Sequence, residues 1–208
     1  MNFELSDDQR MLKDSLDRLI TGEVSGETIT ELGLTMLPFP EEQGGLGLGA
    51  VEMMLVGEAF GRGLVTQPYF GNVVMAGTAL RVAGLTDCIA GLAEGATQYA
   101  FVNDPKFVVG GDTADRFIVA DGNSFRLIEA DAVERRSFKL HNGWGAAVLT
   151  IPPQPITRIA NGKNVAEAVE QAAIAWLAAN AVGAMSAALD LTADYLKTRE
   201  QFGKPIGA

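Results

Sequence analysis

The sequence has one cysteine, one histidine and fewer basic than acidic residues. With Cys88 as its single cysteine, the chain forms no internal disulfide and no paired-cysteine zinc or redox site. A Ser-His-Asp triad, a Cys-His dyad or a histidine-bearing metal site would have to use His141. That residue lies in a turn-like segment, where a histidine is more often solvated than catalytic. These counts argue against those hydrolase classes, and we predict no metal centre.

Sixteen basic residues against 26 acidic ones give a net charge of −10, which repels nucleic-acid phosphates and anionic lipid. The opening residues MNFELSDDQR contain no apolar core of a signal peptide, so we predict a cytoplasmic protein. Residues 172–191 are long enough to span a membrane. Asn180, Gly183, Ser186 and Asp190 interrupt that run, so a helix of a bundle is favoured and no membrane span is predicted.

The order of sequence patterns along the 208 residues predicts an α+β fold. Ser6 and Gln9 form the capping box of a first helix. After about residue 97, short β-branched and aromatic runs alternate with Asp-Gly, Asn-Gly and Gly-Gly turns. We predict an N-terminal helical domain over residues 1–96, a small antiparallel β-domain over 97–160, and the start of a C-terminal helical domain over 161–208.

Further helices are predicted at 28–32, at 50–60, from Pro68, at 87–94 and at 165–199. The last is Ala-rich and apolar around most of its circumference, and would be about 50 Å long. Such a helix is stable only when it is buried among others. We therefore expect it to belong to an incomplete bundle that further helices or a partner subunit complete.

Residues 45–50, GLGLGA, fit a loose dinucleotide-binding pattern, which would make the chain an NAD-binding protein. That site requires a strand before the glycines, so that the turn delivers a phosphate to a helix N-terminus. Two prolines, Pro38 and Pro40, precede them instead, and Glu41 and Glu42 would repel a pyrophosphate. A glycine-rich loop between helices is the better interpretation.

The segment DYLKTREQFGKPIG at the end of the chain is more specific. Tyr195 and Arg199 share one helix face, and an arginine at a helix C-terminus offers a bidentate fork to phosphate or carboxylate. Phe202 can pack on a planar ring. The plain alternative is a helix that ends at Gly203, with Arg199 compensating the helix dipole. From these residues alone the two interpretations stand about equal.

Three segments resemble the acyl-CoA dehydrogenase family: FELSDDQRMLKDSLDRL, LPFPEEQGGLGLGAVEMMLVGEAFGRGL and DYLKTREQFGKPIG. Their order matches the helical–β–helical plan of that family, and the middle segment contains its P-x-E-x-G-G turn. The resemblance covers the whole chain, more loosely in the β-domain. Within the family the likeness is nearest to the small subunit of two-subunit pimeloyl-CoA dehydrogenases.

The resemblance implies α,β-dehydrogenation of an acyl-CoA thioester, in which a glutamate removes the α-proton and the β-hydride passes to the N5 atom of FAD. In the family FAD lies between the β-domain and the C-terminal helices, and the terminal motif reaches the FAD of a neighbouring subunit. Arg199 and Gln201 are then implied to contact the FAD pyrophosphate region, and Phe202 to pack against the cofactor. The implied partners are an electron-transfer flavoprotein or similar acceptor, and either further copies of the chain or a large acyl-CoA dehydrogenase subunit.

The chain departs from the family at two places that matter for catalysis. No glutamate in it matches the family's catalytic position, so the catalytic residue is unassigned. Where a tryptophan would flank the flavin, the chain has Phe107, Val108 and Val109. Two hypotheses remain: a dehydrogenase subunit whose complete form carries the glutamate, or a non-catalytic small subunit that completes a partner's flavin site through residues 199–202.

Overall fold

A computed structural model describes residues 4–121, 124–153 and 162–207. The helices are α1 (Asp7–Leu19), α2 (Gly26–Glu31), α3 (Ala50–Arg62), a π-helix (Phe70–Ala76) that continues into α4 (Gly77–Ala83), α5 (Thr86–Ala93), α6 (Gly162–Thr198) and short 3-10 turns at Leu34–Met36, Glu41–Gln43 and Ala130–Ala132. The strands are β1 (Tyr99–Val102), β2 (Val108–Val109), β3 (Arg116–Asp121), β4 (Ser124–Glu129), β5 (Glu134–Lys139), β6 (Gly145–Thr150), β7 (Glu200–Gln201) and β8 (Lys204–Pro205). This order confirms the predicted α+β fold.

Local signals placed most of the helix starts. The capping box of α1 is confirmed, since the Gln9 backbone N–H donates to Ser6 Oγ at 3.2 Å and the Ser6 N–H donates to Gln9 Oε1 at 2.9 Å. Helix α2 begins earlier than predicted because Ser25 caps it, accepting from the Thr28 N–H at 3.1 Å. The helix expected from Pro68 is confirmed to within one residue, since Tyr69 is helical and the Pro68 carbonyl accepts the first i→i−4 bond, from the Asn72 N–H at 2.9 Å.

The β-domain consists of two three-stranded sheets, ordered β1-β3-β4 and β2-β6-β5. The prediction that it is antiparallel throughout is wrong at one pair, because β1 and β3 run parallel with Tyr99 opposite Arg116 and Val102 opposite Val119. The reason is that β2, which follows β1, belongs to the other sheet, so the chain crosses over before β3 begins. Turn signals in the sequence do not show which sheet a strand joins.

Strand β1 is buried on both faces and ties the two domains together. Tyr99 and Phe101 belong to the core that the helices share, whereas Ala100 and Val102 pack between the two sheets. This follows from the period of two along a strand, which sends successive side chains to opposite faces. The side chains of β1 therefore position the sheets against the helices that precede them.

Helix α6 is 37 residues long, about 55 Å at 1.5 Å per residue. We define its inner stripe as the buried residues Val165, Val169, Trp176, Ala179 and Gly183. We define its outer face as the exposed apolar residues Ile174, Leu177, Val182, Met185, Leu189 and Leu191. The expected burial among other helices is thus met on one side only. By length and composition alone the segment Asn164–Thr198 could cross a membrane, a criterion that bundle helices also satisfy.

Glycines let α3 and α6 cross in direct backbone contact. A β-carbon at Gly61 would overlap the carbonyl oxygen of Asn180, and one at Gly183 would overlap that of Glu58. The Asn180 amide donates to the Gly57 carbonyl at 3.2 Å. Since no side chain fits at either glycine, the crossing depends on both of them.

Candidate functional site

The C-terminal motif folds as a hairpin, residues 199–206, rather than as the end of a helix. Helix α6 stops at Thr198, and β7 pairs antiparallel with β8. Phe202 and Gly203 form the turn with φ of 53° and 78°, the left-handed pair typical of a two-residue hairpin. Gly203 is therefore not the helix cap that the plain interpretation required. Phe202 is held in a region that non-glycine residues rarely occupy, which marks local strain.

Backbone hydrogen bonds fix the hairpin on the last turn of α6. The Arg199 N–H donates to the Tyr195 carbonyl at 2.8 Å, and the Ile206 N–H donates to the Arg199 carbonyl at 2.9 Å. The Gly207 N–H donates to the Leu196 carbonyl at 3.1 Å. The backbone of Arg199 is consequently held on both sides, so its side chain projects from a fixed base.

The structure brings the three predicted cofactor-binding residues together on this hairpin, with their side chains in solvent. Phe202 is fully exposed, and Arg199 and Gln201 are exposed as well. Neither Arg199 nor Gln201 makes a side-chain hydrogen bond or ion pair with another described residue. An unpaired guanidinium and a free aromatic ring on one hairpin offer a phosphate contact and a stacking surface.

The other place of interest is the junction of the β-domain with the π-helix and α6. A β-carbon added at Gly71 of the π-helix would lie 2.5 Å from the carbonyl oxygen of Val109. One added at Gly143, in the turn between β5 and β6, would lie 2.8 Å from Thr66 Cγ2. The two domains are therefore in van der Waals contact at both points.

Three aromatic side chains occupy the middle of this junction, and we refer to them as the aromatic cluster: Phe70, Trp144 and Trp176. The ring centroids of Phe70 and Trp176 lie 5.2 Å apart with an interplanar angle of 21°. Trp144 lies 5.3 Å from Phe70 and 6.0 Å from Trp176. The cluster joins the π-helix, the β5–β6 turn and α6. Trp144 Nε1 donates to the Val65 carbonyl at 3.2 Å, which anchors the turn to the chain before the π-helix.

Tyr69 extends the aromatic packing into the helical core. Its ring stacks on Trp176 at 6.3 Å and meets the edge of Phe60 at 5.1 Å. The hydroxyl donates to the Leu34 carbonyl at 2.8 Å. Burial raises the pKa of the Tyr69 hydroxyl above its ordinary value of 10.0. Tyr69 therefore stays neutral and serves the packing of Trp176.

The sequence interpretation missed the aromatic cluster. Its members come from three regions far apart in the chain, and no spacing rule connects them. One signal was available: the chain has two tryptophans, and both are in the cluster. Tryptophan combines a large apolar surface with a polar N–H group and is enriched at interfaces.

Two cavities beside α6 are lined by helices and by the loop before α3. An apolar one of about 300 Å³ includes Phe39, Met53, Val74 and Trp176. A second of about 680 Å³ lies among α1, α3 and α6 and contains charged residues such as Arg62. Neither includes a residue of the six strands of the β-domain.

The alternative dinucleotide-binding site at residues 45–50 lacks the preceding strand that such a site requires. The residues immediately before Gly44 form the 3-10 turn Glu41–Gln43, not a strand. His141 lies in an exposed turn, as expected from the sequence. The structure therefore gives residues 45–50 the role of a loop that leads into α3.

Comparison with known proteins agrees with the architecture. The family model of the acyl-CoA dehydrogenase N-terminal domain matches residues 22–85. Acyl-CoA dehydrogenase IpdE2 of Mycolicibacterium smegmatis is 34% identical over 178 residues, covering 86% of this chain and 55% of that protein. Acyl-CoA dehydrogenase FadE28 of Mycobacterium tuberculosis is 30% identical over 234 residues, covering 99% of this chain and 69% of that protein.

Solved structures with low sequence identity share the fold. The ChsE4-ChsE5 complex from Mycobacterium tuberculosis matches with a TM-score of 0.85 at 21% identity, covering 100% of this chain and 71% of that one. Glutaryl-coenzyme A dehydrogenase in its glutaryl-CoA complex matches with a TM-score of 0.83 at 19% identity, covering 100% and 71%.

The chain spans a little over half the length of IpdE2, 55%. The resemblance first read from three segments thus extends over the chain's whole length in the alignment with FadE28, of which it covers more than two thirds. Identity at that level and that coverage, together with the matched N-terminal domain, place this chain in the acyl-CoA dehydrogenase family.

Proposed function

We propose that the chain is a subunit of a FAD-dependent acyl-CoA dehydrogenase and that it contributes its C-terminal hairpin to the flavin site of a partner subunit. The observation that supports this is the hairpin itself, with Arg199, Gln201 and Phe202 exposed and free of partners among the described residues. FAD, when bound, supplies the hydride acceptor for α,β-dehydrogenation of an acyl-CoA thioester.

Each of the three side chains has a distinct task in this proposal. Arg199 forms paired, charge-assisted hydrogen bonds with the pyrophosphate, which its planar fork suits better than a lysine would. Gln201 donates amide hydrogens to oxygens of the same group. Phe202 packs on a planar ring of the cofactor. None of these tasks requires a proton transfer, so the hairpin binds and orients.

The partner is proposed to be another acyl-CoA dehydrogenase chain. Two features support this: the outer face of α6 leaves six large apolar side chains exposed, and one neighbour in fold belongs to the ChsE4-ChsE5 complex. A surface of that kind on a single helix is stabilised by burial against another protein surface. A large acyl-CoA dehydrogenase subunit would supply both that surface and the catalytic glutamate, and further copies of this chain are the alternative.

The proposal extends to the electron acceptor and the substrate. An electron-transfer flavoprotein or a similar acceptor in the cytoplasm would reoxidise the flavin. The likeness to the pimeloyl-CoA dehydrogenase small subunit makes a dicarboxylyl-CoA the first substrate to try, followed by monocarboxylyl-CoA thioesters of several lengths.

The test is the visible spectrum of the complex that the tagged chain forms in its own cells, recorded before and after each acyl-CoA is added. We expect bound flavin that bleaches with one class of acyl-CoA. Arg199→Ala should weaken FAD retention about 10- to 100-fold, because a hydrogen bond to a charged group contributes roughly 1.5–3 kcal/mol.

Lys197→Ala is the matched control, since it removes a nearby exposed cation that pairs with Asp194 at 3.5 Å. It should leave FAD retention unchanged. A complex with flavin that both variants retain equally would contradict the role of the hairpin. Flavin that bleaches in a preparation of this chain alone would show that the chain is itself the dehydrogenase.

A further inference from the structure

We propose that the apolar cavity of about 300 Å³ beside α6 binds a free, unbranched aliphatic carboxylate of medium length. The chain lies inside the cavity, and the carboxylate binds Thr78 and Arg81 at the end of α4. The cavity is bordered by α3, the π-helix, α4 and the first half of α6. The inference does not rest on the proposed function, which uses the hairpin at the opposite end of α6.

The floor of the apolar cavity is made of buried apolar side chains. Phe39, Val74 and Trp176 line it, and none of the three is more than 3% exposed. Leu48 and Met54 also line it and are exposed, so the cavity opens to the surface. An aliphatic chain placed there would remove this apolar surface from water, which is favourable in proportion to the area covered.

The volume of the cavity sets the length of the chain. About 300 Å³ holds roughly ten non-hydrogen atoms, when each takes about 30 Å³, the share of one water molecule in the liquid. Octanoate has this size. The volume is also at the lower end of the range found for small-molecule pockets.

Two polar side chains reach the cavity from one face of the helix that the π-helix and α4 form. Val74, Thr78 and Arg81 all line the cavity, and their spacing of four and three residues places them on one stripe. Thr78 and Arg81 therefore follow directly on the apolar floor. A chain that lies along this stripe brings its end to the hydroxyl and the guanidinium.

The Thr78 hydroxyl is not used within its own helix. In other helices Thr30, Thr192 and Thr198 each donate their hydroxyl to the carbonyl four residues earlier, at 3.0, 2.7 and 2.8 Å. Thr78 Oγ1 makes no hydrogen bond with a described residue, although Thr78 is half-buried. A hydroxyl in this position is free to donate to a ligand.

The Arg81 guanidinium is likewise without a partner. It is exposed and forms no hydrogen bond or ion pair with another described residue. Glu41 and Glu42 lie with it around an adjoining depression, but neither is paired with it. Among the described residues that line the apolar cavity, none is acidic. The complement of this arrangement is an apolar chain with one negative end, because a carboxylate forms charge-assisted hydrogen bonds with a guanidinium.

The experiment is equilibrium dialysis of radiolabelled octanoate against the complex purified through the tagged chain. We expect saturable binding of one octanoate per copy of the chain. Octanol should compete about tenfold more weakly than unlabelled octanoate, because its neutral hydroxyl forms weaker hydrogen bonds with the guanidinium. Octanoyl-CoA, whose chain ends in a neutral thioester, should also compete more weakly.

Arg81→Gln should weaken octanoate binding about tenfold and leave competition by octanol unchanged. Arg136→Gln is the matched control, since Arg136 on β5 is also exposed and without a partner among the described residues. Ala175→Phe should abolish binding, because Ala175 lines the cavity from an exposed position of α6 and the ring would fill the space. Ala90→Phe adds the same ring at an exposed position of α5, outside the cavity, and should bind octanoate normally.

Binding that is weakened by Arg81→Gln and abolished by Ala175→Phe supports the proposal. Absence of saturable binding, equal competition by octanol, or equal affinities of the Arg81 and Arg136 variants would overturn it. Stronger competition by octanoyl-CoA than by octanoate would overturn the assignment of a free carboxylate. FAD retention should be the same in Arg81→Gln as in the unmodified complex, so the cavity and the hairpin are tested separately and either can fail alone.

Discussion

The inner stripe and the outer face of α6 are built from similar apolar residues but lie in opposite environments. Trp176 and Ala179 on the stripe are buried, while Ile174 and Met185 on the outer face are 61% and 63% exposed. Glycines at positions 57, 61 and 183 distinguish the two sides, because they let the backbones of α3 and α6 touch. The hydrophobic sequence of α6 thus predicts that other protein surfaces cover it on all sides. The glycines show that α3 of the same chain covers the inner stripe.

The largest effect is expected at the crossing of α3 and α6, where the inner stripe meets the backbone of α3. A valine at Gly183 must overlap the Glu58 carbonyl, so Gly183→Val should lower the free energy of unfolding by about 3 kcal/mol. Ala181→Val is the control on an exposed position of α6, with an expected loss of about 0.6 kcal/mol from helix propensity. Urea denaturation measures both, and equal losses would contradict the close crossing.

A substitution on the outer face of α6 is expected to change binding to the partner subunit and to leave the stability of the chain nearly unchanged. Met185→Gln should change the free energy of unfolding of the chain by less than about 0.5 kcal/mol. It should weaken binding to the partner subunit more than about tenfold, because a buried methionine contributes roughly 1.5–3 kcal/mol. Met11→Gln on α1 is the matched control, since Met11 is 62% exposed and Met185 is 63% exposed. Analytical ultracentrifugation of the complexes would show equal affinities if the outer face were merely solvated.

Tyr69, which stacks on Trp176 of the inner stripe, is tested by the pH dependence of the free energy of unfolding. Because burial raises the pKa of Tyr69 above 10.0, the unfolded chain loses this proton first as the pH rises. The stability that this group contributes is complete below pH 10.0 and declines above it by about 1.4 kcal/mol per pH unit. Tyr69→Phe should cost about 1 kcal/mol at neutral pH, through the lost bond to Leu34, and should flatten the alkaline decline.

Tyr195→Phe serves as the control for the alkaline series, because Tyr195 is 55% exposed. Denaturant midpoints at stepped pH values are the measurement. An alkaline decline that is identical in all three proteins would mean that Tyr69 ionises freely in the folded state.

The smallest effect is expected at α1, a helix whose buried and exposed faces differ in sequence, unlike those of α6. Ser6→Ala removes the cap of α1 and should cost about 1 kcal/mol of unfolding free energy. Ser15→Ala, within the same helix and exposed, should be neutral or slightly stabilising. Thermal unfolding distinguishes the two, and a neutral Ser6→Ala would show that α1 is fixed by packing alone.

Local chemistry was readable from the sequence where one residue determines the structure. The cap at Ser6, the loop after Pro40 and the order of helices and strands all follow from neighbouring residues. The three hairpin residues were also singled out together, although the hairpin itself was not foreseen. Phenylalanine rarely adopts the left-handed backbone conformation of Phe202, and its side chain gives no signal that would predict it.

Long-range pairing was not readable in the same way. The parallel contact of β1 with β3 depends on where β2 lies, and the aromatic cluster depends on how α6 and the β5–β6 turn approach the π-helix. These are consequences of packing between distant segments, on which spacing along the chain is silent. The one-sided burial of α6 likewise depends on the glycines of α3 and α6 meeting in space.

The mounting of α6 also has a mechanical consequence. Beyond the glycine crossing α6 is still joined to α3 by the ion pair of Asp190 with Arg62, at 2.6 Å between Oδ2 and Nη2, and Thr198 lies 8 residues further, about 12 Å along the helix axis. That overhang behaves as a lever whose fulcrum is at Asp190 and whose tip carries Arg199. A tilt of about 10° at the fulcrum displaces the tip by roughly 2 Å, more than half the length of a hydrogen bond. Contacts that a partner makes along the overhang would therefore determine the position of the Arg199 guanidinium as well as the affinity between the subunits.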